Sequence, residues 1–176
     1  MKIRNYFLLT SLIVFLISSA SLSQTDTSKA DSVMFQFEPK FYCVQAELCL
    51  FPPIMGEAGG LIDVDLFRHD NTQFIGIRGA FEYYGYGNPG GRGKSFRDIC
   101  MYGRVSLRFT NFSINTCGGL AYHTGTRESG EILLRGSFEL KYIPFGNFVG
   151  VMLKGSTSFW GDTGFIGLGI ALGYFN

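Results

Sequence analysis

Charged side chains of both signs recur at alternate positions within otherwise apolar segments, and these are the residues best placed to do chemistry. Acidic and basic groups enclosed together form salt bridges, because an unpaired buried charge costs several kcal/mol. Their pattern therefore predicts an ion-pair network, with a narrow polar pore or a proton or ion path as the alternative. The predicted members of the network are Glu47, Asp63, Asp65, Arg78, Glu82, Arg104, Arg108, Arg135, Glu139, Lys141 and Lys154.

The chain has two histidines, His69 and His123, as candidates for general-base catalysis. A hydrolytic nucleophile needs a base within hydrogen-bond reach and a third group that orients the base. Hydroxyl and carboxyl groups follow His123 closely, at Thr124, Thr126, Glu128, Ser129 and Glu131. The strand parity nevertheless points His123 inward, and no hydrolase motif surrounds it. We expect no catalytic residues and a protein that is not an enzyme.

Four cysteines, Cys43, Cys49, Cys100 and Cys117, share the parity of the charged residues. Cys43 and Cys49 are six residues apart, about 20 Å along an extended strand. A disulfide requires Cα atoms within about 7 Å, so we expect none between regular strands. A distorted loop that joins Cys49 to Cys100 is the remaining alternative. The thiols are scattered and lack histidine neighbours, so no metal site and no cofactor are expected.

The elements that position these groups are short segments with a period of two. In the last segment, Ile166, Leu168 and Ile170 alternate with Gly167 and Gly169. Successive side chains of a β-strand point to opposite faces, so this period places the two faces in different surroundings. Eight such strands are predicted, at 41–51, 60–68, 73–85, 99–109, 112–123, 132–143, 148–159 and 164–175.

One face of every predicted strand is rich in Leu, Ile, Val, Phe and Tyr. The interior of an eight-stranded barrel is just wide enough to be filled by side chains. The face that mixes charged residues with Gly, Ala and Ser therefore fits the interior, and the bulky apolar face fits lipid. The prediction is an all-β, eight-stranded antiparallel up-and-down transmembrane β-barrel. A soluble lipocalin-like binding barrel, with its apolar face inside, is the alternative.

Pairing across the short connections sets the predicted register. It places Asp63 directly opposite Arg78, Tyr142 opposite Val149, and Glu139 diagonal to Lys154. The short connections are expected on the periplasmic side and the longer ones, including 52–59 and 86–98, outside the cell. Aromatic residues at strand ends predict interfacial girdles. The predicted girdle consists of Tyr42, Tyr83, Phe109, Phe112, Tyr122, Tyr142, Phe159 and Tyr174.

The N-terminus predicts a secretory signal peptide at 1–23. Lys2 and Arg4 precede the apolar stretch 7–17, which is too short to span a bilayer, and small residues follow it. Residues 24–40 are expected to be a polar lead-in, and 41–176 the barrel. The 176 residues carry a net charge of +1, which gives no support for a nucleic-acid partner.

The signal peptide, the eight alternating strands and the aromatic-ended final strand, 165–175, resemble small outer-membrane barrels of the OmpA transmembrane-domain and OmpX type. The resemblance is architectural and covers nearly all of the mature chain. It implies a monomeric protein of the outer membrane of a Gram-negative bacterium, with a structural or surface-interaction role. It also implies recognition of the final strand by the outer-membrane assembly machinery, although the outward aromatic Tyr174 is followed by Phe175 and Asn176.

The same resemblance implies which partners the protein binds and which other functions are possible for it. The expected partners are outer-membrane lipid and lipopolysaccharide, the latter through a Gly-rich basic loop that carries Arg92, Lys94 and Arg97. Some small outer-membrane barrels modify lipid A, so a lipid A-modifying enzyme is one alternative function. A small porin-like pore is the other.

Overall fold

The computed structural model describes residues 35–51, 55–86, 94–125, 130–145, 148–158 and 164–175. The predicted signal peptide and most of the predicted lead-in lie outside these ranges. None of the described residues forms a helix with the length and apolar character needed to cross a membrane. The described strands are β1 (Gln36–Phe51), β2 (Met55–Arg68), β3 (Gln73–Tyr86), β4 (Lys94–Phe109), β5 (Phe112–Gly125), β6 (Glu131–Phe145), β7 (Val149–Ser158) and β8 (Gly164–Phe175).

The eight strands form one closed antiparallel sheet. Each strand pairs with the next in sequence, and β8 pairs with β1 to complete the ring. In that closing pair, Val44 lies opposite Tyr174 and Leu48 opposite Ile170. The predicted all-β, eight-stranded up-and-down antiparallel barrel is therefore confirmed. We call the end of the barrel at which residues 69–72 and 110–111 connect strands the turn end. The opposite end, at which β3 ends and β4 begins, is the loop end.

The two faces of the barrel differ sharply in chemistry. Leu168 on the outer face is 67% exposed and Met101 is 71% exposed, whereas Arg78 on the inner face is 2% exposed. This alternation follows directly from the period of two in the sequence. The middle parts of the described strands thus enclose their charges and turn large apolar side chains outward, whereas charged residues near the strand ends, such as Glu38 and Arg97, are exposed.

The strands are longer than predicted at several ends. β1 begins at Gln36 rather than 41, β2 at Met55 rather than 60, and β4 at Lys94 rather than 99. Pro39 lies within β1, at a register shift between the pairs Phe37–Phe67 and Lys40–Asp65. A bulge leaves a residue outside the hydrogen-bond ladder, so it accommodates a residue that has no N–H.

One predicted pairing is wrong by two residues. Tyr142 lies opposite Val151 rather than Val149, because the register shifts between Tyr142 and Phe145. That stretch contains Pro144, which cannot donate to the ladder. As a consequence, Glu139 lies directly opposite Lys154 instead of diagonal to it. The predicted opposition of Asp63 and Arg78 is confirmed.

Glycine permits close approach of neighbouring strands on the inner face. A Cβ atom built on Gly76 would lie 2.1 Å from the carbonyl oxygen of Val64, well inside contact distance. Gly79 on the same strand has nothing within 4 Å of such an atom. Small inward residues therefore allow the sheet to curl tightly enough to close.

Candidate functional site

The enclosed charges form a continuous chain of ion pairs and hydrogen bonds along the barrel interior. It runs from Arg108 near the turn end to His123 near the loop end. Strands β1 to β7 each contribute at least one side chain. We call this set the lumen network. All of the charged residues predicted for it lie on the inner face and take part in it, and it also contains members that the sequence did not reveal.

The turn-end part of the network is built on Asp63 and Asp65. Arg78 donates two hydrogen bonds to Asp63, from Nε at 2.7 Å and from Nη2 at 2.9 Å. Arg104 donates to Asp63 at 3.1 Å and also to Asp65. Arg108 reaches the same Asp65 with both terminal nitrogens, at 2.5 and 2.6 Å. Two carboxylates therefore hold three guanidinium groups in bidentate or shared geometry, the strongest form of such contacts.

Arg108 is also held between two aromatic rings. Its guanidinium carbon lies 3.3 Å from the ring centroid of Tyr42 and 4.1 Å from that of Phe74. This corrects the prediction that Tyr42 belongs to an outward aromatic girdle. The register of β1 shifts between Phe41 and Cys43, so Tyr42 turns inward and is 5% exposed, while Phe41 faces outward.

The middle of the network connects β6 to β1. Arg78 also donates to Glu139, and the ammonium of Lys141 lies 3.8 Å from the other oxygen of Glu139. Lys141 donates to Gln45 Oε1 at 2.5 Å, and Gln45 Nε2 donates to Glu47 at 3.1 Å. The amide of Gln45 thus bridges a cation and an anion that do not touch.

A single ammonium group, that of Lys154, donates to three carboxylates. Its partners are Glu47, Glu57 and Glu82, the last at 3.1 Å. Glu57 was not predicted, because residues 52–59 were assigned to a connection and the glycines at 59 and 60 interrupt the alternation. The parity of Glu57 with Asp63 and Asp65 was the signal that could have identified it.

The loop-end part of the network contains a histidine. Arg135 donates to Glu82 at 3.0 Å and to Asp98. Asp98 in turn lies 2.7 Å from His123 Nδ1, and Tyr84 donates to Asp98 at 3.1 Å. Asp98 was assigned to the connection 86–98 and therefore missed; it is fully buried in β4.

His123 is oriented in the manner of a catalytic base but faces the interior. Its imidazole stacks on Phe96, with ring centroids 5.2 Å apart, and the residue is 9% exposed. The neighbouring hydroxyl of Thr124 donates to the backbone carbonyl of Arg97 at 3.2 Å. The pair His123–Asp98 thus lies at the loop end of the network and is joined to Arg135 through Asp98.

The four cysteine thiols are free and buried. Cys43 lies opposite Asp63 and Cys49 opposite Glu57. Cys100 lies between Ala80 and Ala121, and Cys117 between Arg104 and Ser137. The strand register therefore places no two of these thiols opposite each other, and the alternative pair Cys49–Cys100 is not formed.

Two groups of side chains have ligand atoms close enough together for a metal ion, namely Glu47, Glu57 and Glu82, and Glu82, Asp98 and Cys100. In the first group Lys154 donates to all three carboxylates. In the second, Arg135 donates to both carboxylates. A basic side chain thus supplies the positive charge that a metal ion would bring to either group.

The predicted girdle residues other than Tyr42 and Phe159 lie outward. Tyr83, Tyr122, Tyr142 and Tyr174 are each 42–48% exposed, and Phe109 is 58% exposed. Phe112 is half-buried on the same face. Phe159 lies outside the described residues.

A cavity of about 700 Å³ lies at the turn end. Aromatic walls from Tyr42, Phe74 and Phe175 meet polar groups that include Asp65 and Arg108. The innermost polar wall is thus already engaged in the ion pairs of the turn-end cluster. The cavity stops where the lumen network begins.

No protein-family model matches the chain, and no curated protein matches it. Solved structures similar to it include a de novo designed transmembrane β-barrel, with 14% sequence identity and a TM-score of 0.46, covering 80% of this chain and 99% of the other. The outer membrane protein Ail of Yersinia pestis has 13% identity and a TM-score of 0.48, with 79% and 100% covered.

The N-terminal β-barrel domain of OprF from Pseudomonas aeruginosa has 15% identity and a TM-score of 0.46, with 80% and 100% covered. The fold itself is established by the strand pairing of this chain. The chain is an eight-stranded antiparallel up-and-down β-barrel that resembles small outer-membrane barrels.

Proposed function

We propose that the chain is an integral protein of the outer membrane of a Gram-negative bacterium. In this proposal the lumen network fills the interior, and the protein acts through its surface rather than as a channel or an enzyme. The observation that carries the proposal is the outward apolar face. Leu50, Ile99, Met101, Ile132 and Leu168 are each 63–71% exposed, and they lie on four different strands around the ring.

The free energy of transfer of apolar side chains out of water supports the placement of this outer face in lipid. Transfer of one large apolar side chain from water to an apolar phase contributes roughly 1.5–3 kcal/mol. A soluble protein rarely exposes a contiguous apolar patch of more than a few hundred Å². The outer face far exceeds one such patch, because every described strand contributes to it. Lipid contact therefore stabilises the barrel, whereas water contact would promote aggregation.

The enclosed face argues against a soluble ligand-binding barrel. Such a barrel encloses an apolar cavity, whereas here the interior contains Arg78, Arg104, Glu139 and Lys154, each no more than 2% exposed. The test is membrane fractionation combined with gel mobility before and after heating. We expect the protein in the outer-membrane fraction, with a folded form that migrates differently from the heated one. Recovery in buffer without detergent would contradict the proposal.

The contacts of the lumen network support a barrel that does not conduct ions. The ammonium of Lys154 and the guanidinium of Arg135 are bound by carboxylates from several strands, so the side chains cross the interior. Eight strands leave room for side chains but little for continuous water. In planar bilayers we expect no steady unit conductance. A reproducible conductance step would favour the alternative of a small pore.

A surface role requires groups at the loop end. Arg97 is exposed on β4 next to the predicted basic loop, and cations near that end would bind lipopolysaccharide phosphates. Replacement of Arg92, Lys94 and Arg97 by glutamine should weaken binding to lipopolysaccharide vesicles, whereas Arg68→Gln at the turn end should not. Equal binding by both variants would remove this partner. Unchanged lipid A in mass spectra of expressing cells is expected, since we propose no enzymatic activity.

Assembly is the remaining part of the proposal. The final strand β8 pairs with both of its neighbours and carries Tyr174 on the outer face. We expect the outer-membrane assembly machinery to recognise this strand after export directed by the signal peptide at 1–23. We also expect the mature barrel to be a monomer. A mature protein whose N-terminal residue lies at or near Gln24 would support the signal-peptide assignment, whereas a protein that keeps residues 1–23 would contradict it.

A further inference from the structure

The lumen network contains more carboxylates than cations. Among the described residues, the cluster at Lys154 and the loop end holds four carboxylates but only two permanent cations. The rest of the network, towards the turn end, has an excess of cations instead. The carboxylates near the loop end are Glu47, Glu57, Glu82 and Asp98, and the cations are Arg135 and Lys154.

The number of available hydrogen-bond donors identifies the carboxylate that has an oxygen without a donor. Lys154 has three N–H donors, and it gives one each to Glu47, Glu57 and Glu82. The second oxygen of Glu47 accepts from Gln45 at 3.1 Å, and that of Glu82 accepts from Arg135 at 3.0 Å. The second oxygen of Glu57 is buried and accepts no hydrogen bond within the described part of the chain.

Glu57 is also surrounded by like charge. Glu57 is 1% exposed, and its carboxyl lies within 4.8 Å of those of Glu47 and Glu82. Cys49 lies opposite it on β1 and Tyr84 on β3, neither of which carries a positive charge. Lys154 is therefore its only cationic neighbour in the described residues, and it is shared three ways. Carboxylates that share a site cannot all be ionised.

A comparison within the network separates Glu57 from a second candidate. One oxygen of Glu139 also lacks a hydrogen bond, but it lies 3.8 Å from the ammonium of Lys141. Glu139 belongs to the part of the network in which cations exceed carboxylates. A negative charge on Glu139 is thus balanced, whereas a negative charge on Glu57 is not.

We propose that Glu57 is a proton-binding site and carries a proton in the folded barrel at neutral pH. Carboxylate oxygens of Glu47 and Glu82 lie within 4.8 Å of the Glu57 carboxyl, and a proton on Glu57 reduces the excess negative charge around Lys154. The proposal concerns the enclosed face alone, so it holds whether or not the barrel spans a membrane. It would place one neutral carboxylic acid among ionised neighbours of the same residue type.

Infrared spectroscopy of the full barrel folded into lipid vesicles tests this. The wild-type protein should show the carbonyl stretch of a buried carboxylic acid at neutral pH, and Glu57→Gln should lose it. The matched control is Glu139→Gln, because Glu139 lies in the part of the network in which cations exceed carboxylates; this variant should keep the band. Absence of the band in the wild type, or its persistence in E57Q, would overturn the proposal.

Stability provides a second readout. Glutamine reproduces the size and neutrality of a protonated glutamate, so the urea midpoint of E57Q should equal or exceed that of the wild type at neutral pH. Glu82→Gln should have a clearly lower urea midpoint, because both oxygens of Glu82 accept hydrogen bonds from cations. If E57Q loses as much as E82Q, Glu57 is ionised and the proposal is wrong. Raising the pH of the wild-type sample should abolish the band, a measurement that needs no variant.

Discussion

Asp63 is the residue whose replacement tests the lumen network most directly. Its carboxylate is fully buried and accepts from Arg78 at 2.7 and 2.9 Å and from Arg104 at 3.1 Å. Asp63→Asn keeps the size of the side chain but removes the charge and turns an amide donor towards two guanidinium groups. Removing one partner of a buried ion pair costs about 3–5 kcal/mol, so we expect a loss of that size in the free energy of unfolding.

The matched control is Glu38→Gln. Glu38 forms an ion pair with Arg68 at 3.6 Å, with side chains that are 54% and 39% exposed. Exposed pairs of this kind contribute about 0–1 kcal/mol. The assay is urea unfolding of the barrel in lipid vesicles, followed by heat-modifiable gel mobility and by the fluorescence of the single tryptophan, Trp160. If D63N is no less stable than E38Q, the buried network does not stabilise the fold.

A double variant shows whether the loss of stability in D63N comes from the guanidinium groups that Asp63 neutralises. Arg104→Gln alone breaks its bonds to Asp63 and Asp65, but Asp65 keeps Arg108. In the D63N background, the same change removes one of the two guanidinium groups that have lost Asp63 as a partner. We therefore expect the double variant to lose less than the sum of the single variants, by about 0.5–3 kcal/mol. Strict additivity would place the effect of D63N outside this ion pair.

Gly76→Ala should lower the folded yield, because its Cβ would lie 2.1 Å from the Val64 carbonyl oxygen. Gly79→Ala should not, because nothing lies within 4 Å of a Cβ at that position. Equal yields of the two variants would contradict the steric argument. Leu168→Arg on the outer face should lower the free energy of unfolding in vesicles by about 2–4 kcal/mol if the site is near the bilayer midplane, and an unchanged urea midpoint would count against lipid contact. The four buried cysteines should react with a maleimide slowly in the folded barrel and quickly in urea, so rapid labelling without urea would indicate an open lumen. Although slight burial opposes ionisation, hydrogen bonds from the Thr72 hydroxyl and backbone amides hold the pKa of Asp70 below its usual range. That contribution to stability is present above the usual pKa and is lost as the pH falls through the lowered one, so acid should reduce the difference between wild type and Asp70→Asn; a difference that does not change with pH would contradict this.

The sequence predicted the two faces of the barrel because charge placement has a large energetic consequence. A shift of one residue would exchange the inner and outer faces of a strand, so the positions of Arg104 and Glu139 determine orientation for their strands. The alternation in β8 is equally clear, with Leu168 outward and Gly169 inward. Period and charge together were sufficient for the fold.

The errors have a common physical cause, namely local departures from regular pairing. A bulge turns Tyr42 inward, and a register shift near Pro144 moves Glu139 opposite Lys154. Alternation does not encode bulges, since each one reverses parity or register within one or two residues. Glu57 and Asp98 were missed because β2 and β4 begin before the segments of regular apolar alternation, where backbone pairing and ion pairs continue the strands.

The inner face of β8 has a consequence for how the ring closes. Its enclosed residues are Gly167, Gly169, Ala171, Gly173 and Phe175, and the strand contains no charged residue. The other seven strands can therefore match all of their described ionic groups before β8 is in place. The pairings of β8 with β1 and β7 then form by backbone hydrogen bonding and close contact of small residues, and they require no new ion pair from β8.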